Sequence, residues 1–189
     1  VGMGSNAEGG SKNFKFATYE SHSGLHEHLR LVRGFQRPRD GFFLRAESFY
    51  NVSSEIERLD EEPFGGPPIK SYFGGESLHT QSHGESFLTL FMEPFRGQSF
   101  YMLDAPEAAL SPQRQLALIS RLHQLVGQRC QFVIATHSPI LMAYPNALIY
   151  EFGEHGIREI SYEDTEHYRV THDFLVNPER MLKVLMGEE

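Results

Sequence analysis

The fold is indicated by residues 99–136, SFYMLDAPEAALSPQRQLALISRLHQLVGQRCQFVIAT. The apolar run Ser99–Asp104 predicts a short buried strand that ends in an acid. A helix is predicted from Ser111-Pro112 to Gly127, because serine is a common N-cap residue and proline fits the first helical position. Cys130–Ala135 predicts a second buried strand. Strand, helix and strand in this order predict a right-handed βαβ unit with a parallel sheet.

The rest of the chain supplies further elements of an α/β fold, which we predict to be one domain spanning residues 1–189. The Gly-rich opening, 1–13, and the Pro/Gly-rich segment 61–75 predict loops. The predicted apolar face of the helix in the βαβ unit consists of Leu116, Ile119, Leu122 and Val126. The remaining predictions are a short helix that begins at Leu25 and ends near Gly34, a strand at 41–47, helices at 48–59 and 86–95, two strands at 147–150 and 157–162 joined by a turn, and two helices within 171–186.

Composition limits the classes of function. The chain has 189 residues, with 17 Lys and Arg against 25 Asp and Glu, which gives a formal net charge of -8. This acidic balance argues against a protein that coats nucleic acid, and the sequence has no run of about 18 apolar residues to span a membrane. The single cysteine, Cys130, excludes a disulfide scaffold, and the opening does not have the pattern of a secretory signal. We therefore expect a cytoplasmic protein.

Four short segments carry residues suited to chemistry, and one of them, Ala108–Pro112, directly follows the segment that contains Asp104. The turn Gln81–Glu85 precedes an apolar helix, where backbone N–H groups and a hydroxyl favour an anion such as phosphate, although an ordinary helix cap explains the same residues. Asp104 after four apolar residues is typical of a Walker B strand, whose acid holds Mg²⁺ beside nucleotide phosphates; a strand that merely ends in an acid is the simpler alternative. His137 follows the next strand, either as a contact for a terminal phosphate or as an ordinary loop histidine.

The order and spacing of these segments are more specific than any one of them. In this respect the chain resembles the C-terminal part of the ABC-type, AAA-labelled bacterial predicted ATPases, which are related to SMC-type and RecF-like ATPases. The resemblance runs from about Asn6 to Leu185. Its strongest segments are SHGES at 82–86, LDAPEAALSP at 103–112, ATHSP at 135–139 and YEDTEHY at 162–168.

The resemblance implies an α/β fold of the P-loop NTPase type, a three-layer sandwich of the ABC-ATPase class. It also implies ATP and Mg²⁺ as cofactors and a homodimer that holds nucleotide head to tail between its subunits. Ser82, Gly84 and Glu85 match the ABC signature, which closes on nucleotide bound to the partner subunit. Ser111 ends the segment that matches the D-loop at that dimer interface, and it is a further candidate for nucleotide binding.

The same resemblance implies roles for residues within one subunit. Asp104 matches the Walker B acid that binds Mg²⁺, His137 matches the switch histidine that contacts the γ-phosphate, and Glu47 lies near the family's Q-loop position. Ala105 departs from the pattern, because the family usually has a glutamate there as general base. Loss of a general base costs about 10²–10⁴ in rate. Glu107 is a candidate to replace it, although Pro106 bends the chain between the two positions, and the alternative is a switch that binds ATP but hydrolyses it slowly.

A second departure is the P-loop. The pattern G-x-x-x-x-G-K-[ST] occurs nowhere in the sequence. Glycines precede Lys12, but it lacks both an adjacent glycine and a following hydroxyl residue. We therefore expect the P-loop strand and its helix to precede this segment, so that the fold of this chain lacks both. The resemblance implies an ATPase, and this chain alone is expected to be inactive or slow.

Two other functions stay open. The chain is alternatively a catalytically inactive pseudo-ATPase that acts as a protein-interaction module with an unknown protein partner. DNA binding is suggested by analogy with the relatives alone. It would need a basic surface such as one formed by Arg30 and Arg33.

Overall fold

The computed structural model describes residues 9–11, 25–28, 30, 32, 38–46, 97–154 and 156–187. The helices predicted at 48–59 and 86–95 and the loop predicted at 61–75 lie outside the described residues. The chain divides into two compact units, Val1–Thr136 and His137–Glu189.

The described residues of the first unit form a four-stranded sheet with the strand order β1-β2-β3-β4. Its strands are β1 (Gly9–Ser11), β2 (Gly41–Arg45), β3 (Phe100–Asp104) and β4 (Gln131–Ala135). β1 is antiparallel to β2, whereas β2, β3 and β4 run parallel, which confirms the strands predicted at 41–47, 99–104 and 130–135. β1 is a correction to the loop predicted at 1–13. Its backbone pairs with β2, and such pairing needs no apolar side chains.

The register aligns the ends of the three parallel strands. Asp104 is paired with Arg45 on β2 and with Ala135 on β4. The carboxyl ends of parallel strands are where open α/β sheets bind ligands. Asp104 therefore lies in the middle of the edge at which a ligand site is expected.

Two helices of this unit are described, α1 (Leu25–His28) and α2 (Pro112–Gly127). α1 begins at Leu25 as predicted, but it ends at His28, so the end predicted near Gly34 is wrong: Arg30 and Val32 are not helical. α2 connects β3 to β4 as predicted. The predicted apolar face of α2 is wrong at Leu116 and Val126, which are 59% and 44% exposed. The buried side chains are Gln115, Leu118, Leu122 and Leu125. The prediction is correct at Leu122, whereas Leu118 and Leu125 replace Leu116 and Val126 on the core face. Each residue turns a helix by about 100°, so a shift of one or two positions moves a side chain from the core to solvent.

β4 is less buried than predicted. Val133 is 52% exposed, and Gln131 and Ala135 are exposed as well, whereas Phe132 and Ile134 are half-buried. This alternation has the period of two that is typical of a strand with one covered face. On that face the ring of Phe132 stacks on Tyr101 of β3, with ring centroids 5.2 Å apart.

The described residues of the second unit form a two-stranded hairpin, three α-helices and a 3₁₀ helix, Tyr162–Asp164. The hairpin strands are β5 (Ile149–Gly153) and β6 (Gly156–Ile160), and the helices are α3 (Pro139–Met142), α4 (Glu166–Val176) and α5 (Pro178–Met186). The strands pair antiparallel, which confirms the predicted strand pair. The two predicted helices are also confirmed, and α4 begins at Glu166, ahead of the predicted start. Within the described part of the chain, every helix is too short or too polar to cross a membrane.

Capping side chains fix the N-termini of these three helices. Ser138, Thr165 and Asn177 accept hydrogen bonds from backbone N–H groups in the first turns of α3, α4 and α5, respectively. Such a cap contributes about 0.5–2 kcal/mol to stability. The caps therefore determine where each helix begins, including the turn of α4 that carries His167.

Candidate functional site

An ion pair joins the ends of β2 and β3. Arg45 Nε donates a hydrogen bond to Asp104 Oδ2 at 2.7 Å, and the two side chains are 36% and 30% exposed. Among the described residues, Oδ1 of Asp104 and the two Nη groups of Arg45 have no hydrogen-bond partner. An ion pair this exposed contributes about 0–1 kcal/mol to stability. Its main effect is to orient the carboxylate at the edge of the sheet.

The chain turns sharply after Asp104. Ala105 has a left-handed backbone, with φ 49° and ψ 48°, and its N–H donates to the carbonyl oxygen of Ala135 at 2.9 Å. Pro106 is buried and begins a 3₁₀ helix, Pro106–Ala109. The left-handed conformation costs a residue with a side chain about 1–2 kcal/mol. Proline thus bends the chain as predicted, and the strained alanine stands where the resembled family usually has its general base.

Glu107 is held at the same edge of the sheet by a hydroxyl. Thr136 Oγ1 donates to Glu107 Oε2 at 2.7 Å, and both side chains are half-buried. Thr136 directly follows β4, so the hydrogen bond connects the 3₁₀ helix to the end of the neighbouring strand. The predicted catalytic role of Glu107 stays a prediction, but its carboxylate has a defined position.

Ser111 has a structural role that accounts for its residue type. It is the N-cap of α2, and its Oγ accepts a hydrogen bond from Arg114 N at 3.4 Å. The side chain is exposed. The predicted contact between Ser111 and nucleotide stays a prediction.

The second unit contains a pair of histidines. His137 Nδ1 lies 3.0 Å from His167 Nε2, which is hydrogen-bond distance. The ring centroids are 5.0 Å apart at an interplanar angle of 37°. Both residues are exposed. His137, which the sequence singles out, therefore has a specific ring partner.

The turn before His167 is ordered by a buried threonine. Thr165 is 3% exposed, and its Oγ1 donates to the carbonyl oxygen of Tyr162 at 2.7 Å while accepting from Tyr168 N. The rings of Tyr162 and Tyr168 lie 4.7 Å apart. Burial raises the pKa of the Tyr162 hydroxyl above its ordinary value, and Tyr168 and Glu163 raise it further.

Four of the predicted site residues lie outside the described residues. These are Glu47 near the predicted Q-loop position and Ser82, Gly84 and Glu85 of the predicted signature. Their proposed roles stay predictions.

Sequence reasoning missed three residues that contact the predicted ones. Arg45 ends β2 after an apolar run, as Asp104 ends β3. A charged residue at the end of each strand could therefore have predicted that both lie at the same edge of the sheet. Thr136 directly follows β4 and was overlooked beside His137. His167 lies in the acidic segment 162–168, which supports the family resemblance but does not by itself predict a contact with His137.

The acid at the end of β3 suits a hydrated Mg²⁺ ion rather than a direct protein cage. Mg²⁺ keeps several water ligands and takes one or two carboxylates plus substrate phosphates. Asp104 offers one carboxylate oxygen, Oδ1, while Arg45 holds the other. The described residues contain no cluster of three or more His, Cys, Asp or Glu that would bind a metal by itself. The Asp104 carboxylate therefore fits Mg²⁺ only if phosphates and water supply the remaining ligands.

The fold and the site together define a mixed α/β protein with acids at the carboxyl edge of a parallel sheet. No protein-family model and no curated protein matches the sequence. Among solved structures, the chain is similar to the SMC head domain from Thermotoga maritima, with a TM-score of 0.41 and 19% identity. The match covers 63% of this chain and 53% of that one, so the chain spans about half the length of the head domain. The function therefore has to be inferred from the chain's own residues.

Proposed function

We propose that this chain belongs to a Mg²⁺-dependent, ATP-binding and ATP-hydrolysing ABC-type ATPase domain. The observation that carries the proposal is the position of Asp104. It ends the middle one of three parallel strands, in register with Arg45 and Ala135, at the edge where such sheets bind ligands. The order of motifs along the sequence supports the same function.

The residues of the first unit are suited to bind and orient phosphates. Asp104 Oδ1 would hold a water ligand of Mg²⁺, and Arg45 keeps the carboxylate turned toward the sheet edge. The Nη groups of Arg45 are suited to donate to a phosphate oxygen, because guanidinium groups bind phosphate through paired N–H donors. When bound, Mg²⁺ supplies charge neutralisation of the terminal phosphates.

Hydrolysis in this proposal depends on Glu107. Ala105 has no side-chain proton acceptor, whereas Glu107 carries a carboxylate that Thr136 holds by a hydrogen bond at 2.7 Å. Glu107 would accept a proton from the attacking water. Because the usual position of the general base is occupied by alanine, we expect slow turnover.

The dimer in this proposal pairs two copies head to tail. Ser82, Gly84 and Glu85 would face the nucleotide bound to the other subunit, with Ser111 at the same interface. In the second unit, His137 would contact a terminal phosphate. These assignments are supported by the match of each residue to the motifs of the resembled family.

A second function is favoured by a specific observation. The guanidinium of Arg45 occupies Oδ2 of Asp104, and a cation beside the acid opposes the binding of a second cation. Together with Ala105, this contact favours a pseudo-ATPase that acts as a protein-interaction module. The two functions differ in whether the chain binds Mg²⁺-ATP.

Calorimetric titration of Mg²⁺-ATP into the protein tests the proposal. Micromolar binding would show that the site holds nucleotide without a P-loop pattern in this sequence, and Asp104→Asn should then weaken it at least about tenfold, equivalent to about 1.4 kcal/mol. The control is Glu151→Gln, which removes a hairpin carboxylate paired with Arg158 and should leave the affinity unchanged. Equal affinities in all three proteins would contradict the role of Asp104. No binding to the wild-type chain would contradict nucleotide binding by this chain alone and support the interaction module.

A further inference from the structure

The contact between His137 and His167 constrains where their protons lie. A neutral imidazole has one N–H donor and one lone-pair acceptor. At 3.0 Å, Nδ1 of His137 and Nε2 of His167 form a hydrogen bond when one of the two nitrogens donates and the other accepts. For two neutral rings the contact therefore couples the tautomers, so that either Nε2 of His167 donates to Nδ1 of His137 or Nδ1 of His137 donates to Nε2 of His167.

The backbone on both sides of this contact is held by capped helices. His137 directly precedes Ser138, a buried N-cap whose Oγ accepts from the N–H groups of Ile140 and Leu141 at 3.1 and 3.3 Å. His167 lies in the first turn of α4, whose N-cap is the buried Thr165. Helices α3 and α4 pack against each other within the second unit. The two rings thus meet between fixed helix ends.

We infer that His167 is a positioning residue, which donates from Nε2 to Nδ1 of His137 and keeps the proton of His137 on its own Nε2. In this state His137 presents an N–H donor, which is the form that hydrogen-bonds an anionic phosphate oxygen. The opposite tautomer of His137 would present a lone pair at Nε2 and repel the same oxygen. The contact itself is observed, whereas the direction of its hydrogen bond and the link to phosphate both rest on the proposed function.

The tautomer is tested directly by nitrogen NMR of the full chain labelled with ¹⁵N-histidine. We expect His137 to show an unprotonated Nδ1 and a protonated Nε2, with scalar coupling across the bond to Nε2 of His167. His167→Phe keeps an aromatic ring and removes both nitrogens, so the signals of His137 should shift toward a mixture of tautomers. His167→Gln retains an amide donor and should restore part of the original pattern. A melting temperature for each variant verifies folding.

A matched control comes from the same helix. His172 stacks on Tyr168 and contacts Asp173, and His172→Phe should leave the His137 nitrogen signals unchanged. If His167→Phe also leaves the His137 signals unchanged, His167 does not position His137. A protonated Nδ1 on His137 in the wild-type chain would reverse the direction of the hydrogen bond and overturn the inference.

A binding measurement separates this inference from the proposed function. If the chain binds Mg²⁺-ATP, His167→Phe should weaken binding about as much as His137→Ala. The double variant should then be no weaker than either single one, since residues that act through one contact are non-additive. Additive losses would contradict a positioning role. If the wild-type chain does not bind ATP but the tautomer is as expected, the proposed function fails and the positioning of His137 stands.

Discussion

The residues around Asp104 and those around His137 are held in place by different interactions. In the unit that contains Asp104, four leucines are 2% exposed or less, namely Leu44, Leu103, Leu118 and Leu125. Burial of each contributes about 1.5–3 kcal/mol. In the unit that contains His137, α4 and α5 have no buried side chains among their described residues. There the chain depends on caps, a hairpin and the contact between two histidines.

The two kinds of interaction have different effects: apolar burial stabilises the fold, whereas hydrogen bonds orient individual side chains. Apolar burial is non-directional, so it fixes where the sheet ends but does not decide how a side chain at its edge is turned. Hydrogen bonds depend strongly on angle, so the cap at Thr165 and the ring of His167 decide how His137 is presented. Substitutions in the first unit should therefore change the free energy of unfolding, and those in the second should mainly change local geometry.

The largest expected effect comes from Leu118→Ala. Leu118 is fully buried on the core face of α2, and leucine-to-alanine substitutions in a core cost about 2–5 kcal/mol because a cavity remains. Leu175→Ala on α4 is the matched control, since Leu175 is 70% exposed and exposed substitutions usually stay within about 0.5 kcal/mol. Urea unfolding followed by circular dichroism measures both. Similar losses for the two variants would show that the units are not held differently.

The next largest effect is expected at the cap of α4. Thr165→Ala removes a buried hydroxyl that donates to Tyr162 and accepts from Tyr168 N, and loss of a cap costs about 0.5–2 kcal/mol. Thr165→Ser retains the hydroxyl and should recover most of the loss. Hydrogen exchange of the first-turn amides of α4 measures the local opening. Equal protection in wild type and Thr165→Ala would contradict the view that polar contacts hold this unit.

The sequence predicts the strands and α2 well, because their signals are local. An apolar run ending in an acid gives β3, and a Ser-Pro start gives α2. The face of α2 is harder to predict, since Leu116 and Leu118 are equally apolar and only packing against the sheet decides between them. β1 is also hard to predict from the sequence, because Gly9–Ser11 pairs with β2 through its backbone and has no apolar pattern.

The candidate site residues can be predicted from the sequence more easily than the residues that contact them. Asp104, Glu107 and His137 are identifiable from motif order. Their contacts with Arg45, Thr136 and His167, in the same order, join positions far apart in the chain. No local pattern encodes the pairing of Arg45 with Asp104, which follows from the register between two parallel strands.

A smaller effect, of opposite sign, is expected at the turn after β3. Ala105 has φ 49°, and glycine there would remove about 1–2 kcal/mol of strain while adding part of that back as unfolded-state entropy. Ala105→Gly should therefore stabilise the protein by roughly 0.5–1 kcal/mol. Ala108→Gly is the control in the adjacent 3₁₀ helix, at an exposed position with a negative φ, and should destabilise it slightly. A loss of stability in Ala105→Gly would mean that the turn is not strained.

The smallest effect is the alkaline response of the second unit. The pKa of Tyr162 is raised in the folded chain by burial and then by Tyr168 and Glu163, so between its unfolded and folded pKa values the folded state binds more protons. Stability is then fully present below the unfolded pKa and falls as the pH rises through the folded one. Tyr162→Phe removes the titrating hydroxyl, so its stability should fall less than that of wild type above the ordinary pKa of tyrosine, near 10.0. Urea midpoints measured at neutral pH and at alkaline pH test this difference. Parallel decreases in the two proteins would contradict a raised pKa for Tyr162, because the decrease would then come from other groups.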